Sequence, residues 1–359
     1  MGRKVGVITL PGNFNYGNRL QCFAMCKAVE SLGVQAFSLE RKRLFSLPRW
    51  LFHSLKKSCM SAVGKKGPIS AEDARTPARV LSFERFATHI PTVILSGNGF
   101  EEAARYDCLV IGSDQVWNPN EICHQEKWYF AKFAETGRRV AVAASLGIDS
   151  FSTEHQMRSV VNGIRGFEKI AVRERRGAEL IKECSGVDVE VVCDPTLVLS
   201  AAEWRSMADS RYTPSVSYVF TYLLGGVNEE AAEVLKKVTD NGRIPIVPLS
   251  DRQKPGEPDA GPAEFIDLID HATHVVTDSF HAAVFSSILQ TPLTIVHREG
   301  AASMFSRLEQ LSEMLGIQEK IYGSPTFDPL RAGDYDGVPE AIAHEKAHFM
   351  KYLEGCLNG

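Results

Sequence analysis

The chain has 359 residues, 44% of them hydrophobic and 23% charged, with 28 Gly and 17 Pro. These proportions exclude collagen-like, low-complexity and disordered chains, and they supply apolar material for two domains or one large α/β unit. A net charge of −4 excludes the global basic field of a nucleic-acid-coating protein. No apolar run approaches the roughly 18–20 residues a membrane span needs. The opening MGRKVGVITLPGN lacks a signal-peptide core, and the eight cysteines contain no CxxC pair. A reduced, cytoplasmic protein without a zinc site is expected.

Taken in chain order, short β-branched runs alternate with amphipathic stretches. The runs predict strands at Lys4–Leu10, Val34–Leu39, Cys108–Gly112, Arg139–Ala144, Ile170–Arg173, Val189–Cys193, Tyr218–Leu223, Ile244–Leu249, His274–Thr277 and Leu293–His297. Helical spacing predicts Arg19–Ser31, Glu154–Arg165 behind the caps Ser152 and Thr153, Glu229–Thr239, and a final long helix over 339–357. Such alternation predicts an α/β chain: two Rossmann-like, doubly wound domains facing a cleft. A composition break at Asp209–Pro214 places the boundary, giving an N-terminal domain over 1–210 and a C-terminal domain over 211–359 that ends in the long helix. Ligands in such sheets bind beyond the carboxyl ends of the strands.

One segment breaks the alternation. Within an insertion over 41–78, the stretch from Arg41 to Lys66 holds eight basic residues and no acidic one, with Trp50 and Phe52 among them. It can form a basic amphipathic helix on an anionic membrane surface, at the inner face of the membrane, or a helix or flap covering its own domain.

Four strand-end loops carry candidate chemistry. After the first strand, Asn13, Asn15, Tyr16, Asn18 and Gln21 combine amides, a phenol and a helix start, which suits a polyhydroxylated ligand; a turn that simply needs glycine is the alternative. After Cys108–Gly112, Ser113, Asp114, Gln115, Trp117 and Asn118 offer polar groups beside an aromatic face, as sugar-gripping loops do, with a core Trp as the alternative. Asp114 is a candidate general base. Arg173 closes an apolar strand, where its fork would suit a carboxylate or phosphate. Finally Thr277-Asp278-Ser279-Phe280-His281 reads as strand end, helix cap and first helical turn, with His281 near an anion-binding helix start.

Five short pieces in this order, Asn15-Tyr-Gly-Asn-Arg-Leu-Gln21, Gly112-Ser-Asp-Gln-Val-Trp-Asn118, Val172-Arg-Glu174, Asp194-Pro-Thr196 and Thr277-Asp-Ser-Phe-His281, resemble the polysaccharide pyruvyl transferase family. The resemblance implies a GT-B-like fold and transfer of the enolpyruvyl group of phosphoenolpyruvate, a co-substrate and not a cofactor, to two hydroxyls of one sugar. The product is a pyruvate ketal of capsule, exopolysaccharide or cell-wall glycan, and the acceptor can be lipid-linked. It also implies His281 as acid/base with Asp114 or Asp278 as its partner. Arg173, Thr277 and Ser279 would lie at the donor, the first two loops would hold the acceptor, and no metal is required. Family members often carry Arg two residues before this His and Gly after it, where this chain has Ser279 and Ala282. Arg307 is the candidate replacement cation. A GT-B-type glycosyltransferase using a nucleotide sugar and a non-enzymatic glycan-binding protein are the alternatives.

Overall fold

The computed structural model describes residues 2–12, 14–41, 75–122, 124–298 and 302–358. Asn13 lies outside them, as do all of the 41–66 stretch except Arg41 and most of the 41–78 insertion.

The strands build two parallel sheets. The first contains β1 (Lys4–Ile8), β2 (Gln35–Arg41), β3 (Thr92–Leu95), β4 (Cys108–Ile111), β5 (Arg139–Ala144), β6 (Ile170–Val172) and β7 (Glu190–Val191), in the order β3-β2-β1-β4-β5-β6-β7. That is the doubly wound order with one further strand. The second contains β8 (Val219–Tyr222), β9 (Ile246–Leu249), β10 (His274–Thr277) and β11 (Leu293–Ile295), in the order β11-β10-β8-β9. The 209–214 break lies between the two sheets. Strands β4, β5, β8, β10 and β11 are buried along their whole length. Helices cover both faces of such sheets, which is why these strands read as unbroken apolar runs. The edge strand β3 was missing from the sequence reading: it is four residues long and mostly not buried, so it lacks that signature.

The longer helices are α1 (Tyr16–Glu30), α2 (Pro77–Ala87), α3 (Glu154–Ile164), α4 (Arg175–Ser185), α5 (Glu229–Val238), α6 (Pro262–Asp270), α7 (Phe280–Leu289), α8 (Ala302–Leu315) and α9 (Val338–Asn358). Helix α1 begins three residues earlier than its apolar spacing predicts, because the Asn15 side chain caps it by accepting from the Asn18 N–H.

One apolar core runs through both halves. Tyr16 stacks on Phe265 at 4.9 Å, and Trp204 meets Phe285 edge-on at 4.8 Å. Helix α9 ends the segment expected as the C-terminal domain. It returns to the first sheet, where the Tyr352 hydroxyl donates to the Ala141 carbonyl (3.1 Å) and the Cys193 thiol reaches the Glu345 carbonyl (3.6 Å). Its apolar residues Phe349, Leu353 and Leu357 join the shared core, so the helix ties the halves together. Two Rossmann-like units bound by a returning C-terminal helix make the arrangement GT-B-like. Among the described residues no helix is long and apolar enough to cross a membrane.

Candidate active site

Four segments at the carboxyl ends of the strands converge where the two units meet. Arg173 directly follows β6, and its backbone N–H donates to the Ala144 carbonyl (3.0 Å). Asp114, in the loop after β4, has a left-handed backbone (φ 64°), a conformation that Asp tolerates better than most residues. Asp194 follows β7 and caps the short turn Pro195–Val198. His281 lies in the first turn of α7, behind β10.

The buried Asp194 carboxylate joins them. Its Oδ1 accepts from the Thr196 N–H (3.0 Å) and the Thr196 hydroxyl (2.7 Å). Its Oδ2 accepts from Arg173 Nη1 (2.6 Å) and lies 3.8 Å from His281 Nε2. Arg173 Nη2 donates to Asp114 Oδ1 (3.2 Å), Nε is 3.9 Å from Glu174 Oε2, and the guanidinium lies over the Phe280 ring at 4.8 Å. Glu174 is held in turn, because its Oε1 accepts from the N–H groups of Leu146 (2.8 Å) and Gly147 (3.2 Å). The Arg173 fork is thus turned onto the protein's own carboxylates. Sequence reasoning expected a donor anion at this fork, where the structure has Asp194 and Asp114.

Burial opposes the charge on Arg173, yet Asp114, Asp194 and Glu174 outweigh it and raise its pKa. Burial likewise opposes ionisation of Asp194, and Arg173, His281 and the Thr196 hydrogen bonds reverse the balance and lower its pKa. For His281 burial wins and lowers the pKa. Asp194 and Asp114 resist that shift, while Arg173 and Arg307 add to it. Burial thus favours the neutral imidazole, and its buried Nε2 has no hydrogen-bond partner among the described residues.

A pocket with about 280 Å³ of atom-free space, its mouth included, opens beside this cluster. Arg173, Glu174, Asp194 and Phe280 form one wall, and Arg307 and Gln310 of α8 the other. His281 is not part of the lining; it adjoins the pocket through Asp194, whose Oδ2 lies 3.8 Å from its Nε2. Arg307 has no carboxylate within ion-pair distance among the described residues; burial followed by repulsion from Arg173 lowers its pKa, and Glu174 and Asp114 resist that shift. It stands on the pocket wall opposite Arg173. Helix α7 adds its positive end: Ser279 occupies the cap position without a side-chain hydrogen bond to the first turn.

Other expectations need correction. The Asp278 carboxylate accepts from the N–H groups of Leu224 (2.7 Å) and Gly225 (2.8 Å) and from Arg298 Nε (3.0 Å). It organises the loop after β8, and the carboxylate beside His281 is Asp194. The Thr277 hydroxyl donates to the Tyr222 carbonyl (2.6 Å) and accepts from the Ser279 N–H (3.0 Å), so it shapes the turn.

Most of the expected acceptor contacts are internal. Trp117 is completely buried, stacked on Phe130 at 5.2 Å, with its indole N–H on the Tyr129 carbonyl. Tyr16 is buried between the units, donating to the Ala260 carbonyl and accepting from Arg79. Gln21 donates to Thr9 Oγ1 and the Asn18 carbonyl, and Ser113 is fully buried. Asn118 donates to Gln115 Oε1 (2.7 Å) and its own Oδ1 accepts from the Asn120 N–H. Asn15 caps α1, and Asn18 is buried against Gly12. Aromatic faces and amides near a strand end looked like a sugar platform; packing turned them inward to hold the loops.

Sequence reasoning missed the contributions of Gly17, Phe280 and Gln310. The Gln310 side chain donates to the Arg173 carbonyl (3.0 Å) and accepts from the Arg175 N–H (2.8 Å), latching α8 onto the first unit. Asp194 stood in a quoted motif with no role, although Asp-Pro-Thr after a strand is a recognisable capping signal.

The sequence model of the family described as "Polysaccharide pyruvyl transferase" matches residues 15–296. The chain belongs to this family. The matched span contains Asp114, Arg173, Asp194 and His281, and Arg307 lies beyond it. No functionally curated protein is similar to the chain in sequence. Among solved structures it is similar to UDP-GlcNAc 2-epimerase from Neisseria meningitidis bound to UDP-GlcNAc, at 10% identity and TM-score 0.46, over 98% of this chain and 99% of that one. The UDP-GlcNAc 2-epimerase from Methanocaldococcus jannaschii, in complex with UDP-GlcNAc and UDP, is similar at 14% identity and TM-score 0.42, over 96% and 93%. The glycosyltransferase SnogD from Streptomyces nogalater is similar at 11% identity and TM-score 0.39, over 100% and 98%.

Proposed function

We propose that this family member transfers the pyruvyl group of phosphoenolpyruvate to two hydroxyls of one sugar. The product is a pyruvate ketal of capsule, exopolysaccharide or cell-wall glycan, made in the cytoplasm on a free or lipid-linked acceptor. One observation supports the reading above others: an imidazole that burial keeps from protonating and a guanidinium outside any ion pair among the described residues, His281 and Arg307, flank the same buried cluster at the start of α7. The donor carries about three negative charges near neutral pH and calls for charge-assisted partners. Since the Arg173 fork is occupied by Asp114 and Asp194, Arg307 and the α7 N–H groups are assigned to the donor, and Arg173 to the wall that orients them.

The chemistry uses a base with a free lone pair. His281 Nδ1 accepts the proton of the first sugar hydroxyl as its oxygen bonds to the central carbon of the donor, while the methylene carbon takes a proton from water to become methyl, and the imidazolium then passes its proton to the hydroxide left behind. The C–O bond to phosphate then breaks, and the second hydroxyl oxygen replaces it, its proton leaving with phosphate. Each correctly placed acid or base contributes about 10²–10⁴ in rate. Asp114, one bond from the Arg173 fork, is the second candidate for proton transfer.

The test incubates purified protein with phosphoenolpyruvate and a panel of glycosides, reading phosphate release and an acid-labile ketal. Both are expected, and His281→Ala should abolish them. Stabilisation by nucleotide sugars with indifference to phosphoenolpyruvate would instead establish the glycosyltransferase alternative, and glycan binding without donor consumption a binding protein.

A further inference from the structure

His281 is held by more than its own helix. Its Nδ1 edge rests on the backbone of Gly17, where no side chain fits, and its Nε2 is aimed at Asp194 Oδ2, 3.8 Å away. That oxygen cannot drift, because Thr196 anchors the other carboxylate oxygen with two hydrogen bonds and Arg173 grips Oδ2 itself at 2.6 Å. Neutral imidazole leaves the gap just beyond hydrogen-bond length; an imidazolium would close it with a charge-assisted bond.

We propose that Asp194 is the positioning residue of His281: it orients the ring through Nε2–H, leaving the lone pair on Nδ1, and stabilises the imidazolium formed when a substrate hydroxyl gives its proton to Nδ1. This rests on His281 being the acid/base group. Several groups face the imidazole or its immediate partners. Asp194 comes from the turn after β7, Asp114 from the β4 loop, Arg173 from the end of β6 with Glu174 beside it, and Arg307 from α8; α1 contributes only uncharged Gly17. Asp194 is the carboxylate within 4.0 Å of the ring, while Asp114 acts from behind the Arg173 fork.

The sign follows directly. Removing the Asp194 charge withdraws the largest influence that favours the protonated ring, so His281 must become less basic. The experiment follows the ring carbon resonance of His281 in substrate-free, histidine-labelled protein, assigned by comparison with His281→Gln. Asp194→Asn should lower the His281 pKa by about one unit or more, a tenfold change in proton affinity. The acid limb of the kcat/KM profile should move to lower pH by the same amount, and kcat should drop while KM for phosphoenolpyruvate stays within a few-fold.

Thr196→Val, which keeps both charges and loosens only the anchor, should give the same changes at smaller size; it serves if Asp194→Asn fails to fold. An unchanged His281 pKa in folded Asp194→Asn, or in Thr196→Val when that is the variant that folds, overturns the proposal. Because the titration needs no substrate, wild-type protein that ignores phosphoenolpyruvate but shows the shift would reject the pyruvyl transfer reading while leaving the Asp194–His281 coupling established.

Discussion

The imidazole of His281 occupies the space that a side chain on Gly17 would fill. Residue 17 belongs to the first turn of α1 in the first unit and residue 281 to the first turn of α7 in the second. Two helix starts from different sheets thus meet over the site. The glycine is required by this close approach; its backbone φ is not among the positive values.

Gly17→Ala should therefore separate stability from activity. The added methyl gains helix propensity of at most about 0.5–1 kcal/mol, whereas forcing it against a packed ring costs about 1–3 kcal/mol. A modest net destabilisation is expected, seen as a lowered urea midpoint. Turnover should fall at least tenfold because the ring is displaced from Asp194. Wild-type turnover would show that the imidazole is not needed in this position.

Arg307→Ala tests the donor cation. No ion pair among the described residues is lost, and relief of burial and of repulsion from Arg173 outweighs the lost attraction of Glu174 and Asp114, so the thermal midpoint should hold or rise. Loss of a charge-assisted hydrogen bond, about 1.5–3 kcal/mol, should raise KM for phosphoenolpyruvate roughly 10- to 150-fold, with partial recovery in Arg307→Lys. Calorimetric titration of the donor checks this directly; equal affinity in wild type and variant would remove Arg307 from the site.

Trp117 distinguishes a core side chain from a sugar platform. Truncating a fully buried Trp costs about 3–5 kcal/mol, so Trp117→Ala should lose most of the chain's stability in chemical denaturation. Trp117→Phe should keep acceptor KM near wild type despite some destabilisation. An acceptor KM raised tenfold in a well-folded Trp117→Phe protein would restore the platform role.

Stability should fall on mild acidification through His274. Burial, with Lys320 adding to it, holds its ring at a pKa of about 4, and its Nε2 lies 2.8 Å from Thr294 Oγ1. The unfolded chain takes up this proton near pH 6.5 and the native chain only near 4. Between those values the unfolded state binds more protons, and stability decreases as pH falls. The full difference is about 3 kcal/mol by pH 4. His274→Asn removes the titration, so its urea midpoints between about pH 7 and pH 4.5 should decline less steeply than those of wild type. Parallel declines would show that the ring is not held neutral.

What could be read from the residue order was local. Ten of the eleven strands among the described residues announce themselves by apolar runs, the cap at Thr153 by residue type, and the candidate loops by their place after strands. Each of these depends on neighbours only a few positions away, through backbone periodicity and short-range hydrogen bonding. Arg173 and His281 stood out as candidates for that reason, and Arg307 only through the family resemblance.

Tertiary packing decided which way the polar and aromatic groups face and whom they meet. Trp117 and Tyr16 turned inward because large rings lower the free energy most by leaving water, and each found a backbone carbonyl for its polar hydrogen. Asp194 met His281 from 87 positions away, Gly17 made room for that ring, and α9 crossed back to the first sheet. Charge pairing and burial act through space, so a guanidinium that looks available at the end of a strand becomes occupied when folding brings two carboxylates to it.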